Sequence, residues 1–132
     1  MQQTVQDQMY EELRGGQLFT QAQQYAAAYL KQVLKRNVFP SAEALAQLTI
    51  FDEALPKATA QGKDVLSMLH QYGSPATVAQ LGGRYFGFVN GSAVPAGLAA
   101  KHLATYWDQN TAMQVISPLA AKIEMVVESW LR

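Results

Sequence analysis

From Leu18 to Leu34 the apolar side chains Leu18, Phe19, Ala22, Tyr25, Ala26, Tyr29, Leu30, Val33 and Leu34 recur at steps of three and four. That period puts them on one stripe of an amphipathic helix, expected from Gln17 to near Arg36-Asn37. Lys31, Lys35 and Arg36 fall in its last turns, where cations complement the helix dipole. The Gln-rich residues 1–16, closed by Gly15-Gly16, read as a short helix or a loose lead-in.

Downstream, proline and glycine punctuate the chain. Ser41 is placed to cap a helix carrying Leu45 and Leu48, and Pro56 breaks the next stretch. Val65, Leu66, Met68, Leu69 and Tyr72 keep a helical period, with Gly73 as the expected stop. Ser74-Pro75 is expected to open another short helix, ended by Gly82-Gly83, and Pro95 and Pro118 start two more. The predicted fold class is mostly α, with one short extended segment from Tyr85 to Val89. Such a segment needs a sheet partner, which the chain does not clearly provide.

With 132 residues and 49% apolar content, the chain suits one domain with a core. Ten basic residues balance ten acidic ones without a basic cluster, which argues against nucleic acid as a partner. There is no cysteine, so disulfides and thiolate chemistry are excluded. The N-terminus lacks an apolar signal core, and no window reaches the ~18–20 apolar residues that span a bilayer. No membrane partner is expected, and the expected location is the cytoplasm. The last helix reaches Trp130-Leu131 uncapped and uncovered, so the chain is expected to be cut from something longer.

Most candidate chemistry reads as structure. His70 and His102 lie on separate segments without acidic residues at metal-ligand spacing, so no metal site is expected. Glu11-Glu12 and Asp52-Glu53 are sequence neighbours and point apart on a helix. Two stretches ask for more. In "GGRYFGFVNGSAVPAG", from residue 82, aromatics alternate with glycines. A strand would want the aromatics but not the glycines. A binding loop would want both, since glycine admits a ligand and aromatics wall a pocket. In "YWDQN", Trp107, Asp108, Gln109 and Asn110 gather polar reach beside a large aromatic, as at a site entrance or subunit contact. The plainer reading is a helix stop with Asn110 as its left-handed cap.

Taken in order, "SPATVAQLGGRYFGFVNGSAVPAGLAAKHLATYWDQN" and "SPLAAKIEMVVESWL" resemble the N-terminal region of the group II pyridoxal-phosphate-dependent amino-acid decarboxylases. That family includes aromatic-L-amino-acid, tyrosine, histidine, glutamate and 2,4-diaminobutyrate decarboxylases. The resemblance covers residues 62–132, with 1–61 as a helical lead-in. It implies a fold-type-I enzyme, α/β when complete, working as a homodimer whose lead-in helices wrap the partner subunit. It implies that a loop over 82–94 walls the substrate pocket with Phe86, Gly87, Phe88, Val89, Asn90 and Gly91. It further implies that Trp107, Asp108, Gln109 and Asn110 approach the neighbouring subunit's site.

The family's Schiff-base lysine, its aspartate to the pyridine nitrogen and its ring-stacking histidine lie in a region this chain lacks. Lys101 and Lys122 do not match the Schiff-base position. The complete enzyme would use pyridoxal 5'-phosphate to release an amino acid's α-carboxylate as carbon dioxide. The 132-residue chain alone is expected to be inactive and to bind no cofactor. Two alternatives stand beside this reading: a standalone helical dimerisation module without catalysis, and a small helical enzyme using His70 or His102.

Overall fold

The computed structural model describes residues 4–132, and all the regular structure among them is helical. Helix α1 (Val5–Gly15) starts in a capping box. The Thr4 side chain accepts from the Asp7 amide, and the Asp7 carboxylate accepts from the Thr4 amide at 3.1 Å. Gly16, at φ +66°, closes α1 in the left-handed region and leads directly into α2 (Gln17–Val33).

The expected amphipathic helix is therefore present, but its regular part ends at Val33. Lys35 and Arg36 fold back in a turn, their amides donating to the Gln32 carbonyl. Ser41 caps α3 (Ala42–Ala46) as expected, accepting from the Ala44 amide at 3.2 Å, and a 3₁₀ turn over Gln47–Phe51 follows.

Helix α4 (Gly62–Met68) departs from expectation at its end. The chain widens into a π turn over Leu69–Gly73, then tightens into a 3₁₀ turn over Ser74–Ala76. Gly73 stays right-handed at φ −77°, so it stops nothing; a short helical turn does start at Ser74-Pro75, but it ends at Ala76 rather than at Gly82-Gly83. Only at Thr77, with ψ 145°, does the backbone leave the helical region.

The extended segment expected at Tyr85–Val89 is not formed. Phe88 and Val89 take φ values of 52° and 59°, which is turn geometry. Helix α5 (Pro95–Trp107) and helix α6 (Pro118–Leu131) each begin with proline, as the sequence predicts. Ser117, however, does not cap α6 with its side chain; it is buried instead. The left-handed residue that ends α5 is Asp108 rather than Asn110.

The chain divides into two units, one running to Ser92 and the other comprising Ala93–Arg132. In the first, the buried apolar residues are Val33 (1% exposed) and Ala79 (2%), at the C-terminal end of α2. The Ala79 amide donates to the Val38 carbonyl at 2.8 Å and fastens the following strap there. A free-standing domain of this length buries roughly two-thirds of its unfolded surface. Here Phe39, Leu55, Phe86, Phe88, Val115, Trp130 and Leu131 all remain exposed.

Candidate functional site

The loop from Gly82 to Ser92 holds the densest set of sequence candidates. Its root is closed by the Gly82 amide donating to the Ser92 hydroxyl at 2.9 Å. Beyond it, the Arg84 guanidinium donates to two main-chain carbonyls at the end of α2. Its Nη2 reaches Arg36, in the turn just beyond the helix, at 2.6 Å and Val33, the last helical residue, at 3.4 Å, the latter a carbonyl that the helix itself leaves without a partner. At the tip, the Asn90 amide donates to the Gly87 carbonyl at 3.2 Å across Phe88 and Val89. Both central residues are left-handed, which costs on the order of 1–2 kcal/mol each for side chains of this kind. For β-branched Val89 that conformation is an outlier. Phe86 (93% exposed) and Phe88 (92%) project outward.

The glycines of this loop divide into two kinds. Gly82 sits at φ +89°, and a β-carbon there would lie 2.8 Å from Leu34 Cδ2. A β-carbon on Gly87 would lie 2.8 Å from the Tyr85 hydroxyl and 3.0 Å from Cζ, because the Tyr85 ring covers that backbone. Gly83 and Gly91 face open space at ordinary φ. Half of the glycine pattern is thus required by the loop's own shape.

Trp107–Asn110 lies in the second unit and ends α5. Asp108 turns left-handed at φ 48°, the Gln109 side chain donates to the Trp107 carbonyl at 2.9 Å, and Asn110 Oδ1 accepts from the Ala112 amide at 3.0 Å. Asp108, Gln109 and Asn110 each have a local structural task, while the Trp107 ring remains half exposed.

Other groupings were not legible in sequence. Tyr25 and His70 stack face to face at 3.9 Å with planes 3° apart, His70 being carried there by the π turn. Gln21 Nε2 reaches the Tyr25 hydroxyl, the Ser67 hydroxyl and the Lys63 carbonyl, each at 3.0 Å. Hydrogen bonds from Ser67 and Gln21 hold the Tyr25 phenol below its ordinary pKa. On α5, His102 meets Tyr106 edge to face at 5.1 Å. Between α1 and α2 runs an apolar trough of about 470 Å³ lined by Met9, Tyr10, Leu13, Leu18 and Phe19.

The residues present do not fit pyridoxal phosphate. A Schiff-base lysine needs a site that desolvates its amine. Lys101 and Lys122 stand on exposed positions of α5 and α6. Among the described residues there is no group of three or more His, Cys, Asp or Glu able to hold a metal ion. No helix among them is long and apolar enough to cross a membrane. Compared with known protein families, curated proteins and solved structures, the chain matches none.

Proposed function

We propose that this chain is the N-terminal segment of a pyridoxal-phosphate-dependent amino-acid decarboxylase. In this reading it contributes pocket wall and subunit interface, while the cofactor is held by a region outside it. The ordered run from the aromatic-glycine loop through "YWDQN" to the Ser117-Pro118 helix start carries the reading. The outward projection of Phe86 and Phe88 supports it, since a pocket wall must present its apolar groups to something other than its own core. The trough between α1 and α2 suits the dimer-wrapping role assigned to the lead-in. The complete enzyme would be a cytoplasmic homodimer acting on a free amino acid.

The second reading is a helical interaction module without catalysis. It is favoured by one observation: Leu119, Ile123, Val127 and Trp130 leave a stripe of α6 exposed.

Reading the source DNA past the Arg132 codon separates the two. An open frame encoding a strand-rich region, with a histidine directly before a lysine, is the expected result. A stop codon at that point would overturn the decarboxylase reading and leave the module.

A further inference from the structure

Phe86, Phe88 and Val89 pose a physical problem. Three large apolar groups on a flexible loop would fold back onto any nearby apolar surface, yet they point into solvent. Their turn is also strained, with two consecutive left-handed residues of which neither is glycine. Something must hold it.

Within the loop, Asn90 to Gly87 and Gly82 to Ser92 are internal bonds that shape it without attaching it. Among the described residues, the hydrogen bonds that tie residues 82–92 to other elements all come from Arg84. Its Nη2 alone donates to both the Val33 and the Arg36 carbonyls, beside the negative end of the α2 dipole. Tyr85 follows directly, its ring lying over Gly87. The anchor is thus one residue from the ring that covers the turn.

The geometry points to Arg84 as a positioning residue: a latch that fixes the aromatic turn against the end of α2 and holds it preorganised. What the latch means for a substrate pocket rests on the decarboxylase reading; the latch itself does not. A wall held in place before substrate arrives avoids the ordering cost that a free loop would incur on binding. Lysine is a poor replacement because its ammonium ends one atom short of Nη2, the nitrogen that makes both bonds.

The test compares the ¹⁵N-labelled full chain with its R84A and R84K variants by amide exchange and ¹⁵N–¹H heteronuclear NOE. In R84A, Asn90 amide exchange is expected to rise roughly fivefold or more, as for a lost hydrogen-bonded turn. The NOE values of Phe86–Val89 should fall, while the Ala79 amide, bonded to Val38, keeps its wild-type exchange. A general structural role would move Ala79 as well. Should R84A loosen Ala79, R84K decides, since it keeps the charge and most of the stem. Faster Asn90 exchange beside an unchanged Ala79 in R84K supports the latch. Wild-type exchange at Asn90 in R84K overturns it, as does an undisturbed tip in a folded R84A. None of these readouts requires catalysis, so the latch can fail while the decarboxylase reading stands, and the reverse.

Discussion

Arg84 donates to the main-chain carbonyl of Arg36 at 2.6 Å, while the Arg36 guanidinium turns the other way. It bonds the Ser74 carbonyl at 2.8 Å and the Thr77 carbonyl at 2.7 Å, and lies over the Tyr29 ring at 5.2 Å. The two arginines fasten different segments to the same end of α2. Arg36 holds the strap after α4, and Arg84 holds the aromatic loop.

Arg36→Ala leaves the Ser74 and Thr77 carbonyls without their charged donor. The expected cost is about 2–3 kcal/mol, read from urea unfolding followed by helical circular dichroism. Arg36→Lys should recover less than half of that, because one ammonium cannot serve the two carbonyls and the Thr77 hydroxyl together. Equal stability of the alanine variant and the wild type would show that the strap is held by other contacts.

The loop glycines should separate by position. Gly82→Ala forces a β-carbon into the left-handed region and against Leu34, at an expected cost of about 1–2 kcal/mol. Gly87→Ala should displace the Tyr85 ring and change its near-ultraviolet circular dichroism. Gly83→Ala and Gly91→Ala meet open space and should stay within about 0.5 kcal/mol of wild type. A cost at Gly91 as large as that at Gly82 would contradict the described loop.

Acid should fray α1 from its N-terminus. The Thr4 side chain and backbone hold the Asp7 carboxyl below its ordinary value of 3.8. A depressed folded value means the contribution is fully present above the unfolded value and is lost as pH falls through the folded one. Protection of the first-turn amides of α1, taken relative to their intrinsic exchange at each pH, should therefore fall below about pH 4. Asp7→Asn should remove that pH dependence. A first turn whose protection is flat across this range would exclude the capping box as its source.

The exposed stripe of α6 predicts self-association. Ile123→Asp places a charge in that stripe and should weaken association about tenfold to a hundredfold, as measured by light scattering across a dilution series. A wild-type chain that stays monomeric throughout the series would remove the support this stripe gives the interaction-module reading.

The helices were legible where periodicity and capping agree. The stripe from Leu18 to Leu34 marks α2, Ser41 marks α3, and Pro95 and Pro118 mark α5 and α6. The π turn was not, because Val65 to Tyr72 keep a period that fits an α-helix equally well. Phe88 and Val89 read as strand formers, and only the folded loop puts them in left-handed geometry. Arg36 reads in sequence as a dipole partner, since the carbonyls it binds belong to residues some forty positions away. The Tyr25–His70 stack is hidden for the same reason: two distant elements meet through backbone geometry that no local motif records.

The most direct test of the central claim is release of carbon dioxide from carboxyl-labelled amino acids. The protein to assay is the product of the whole open reading frame containing this segment, supplied with pyridoxal phosphate. The account predicts label release from at least one amino acid of the panel, dependent on the cofactor and lost when the segment is removed. Absence of release across the panel from a folded, cofactor-loaded protein would contradict it.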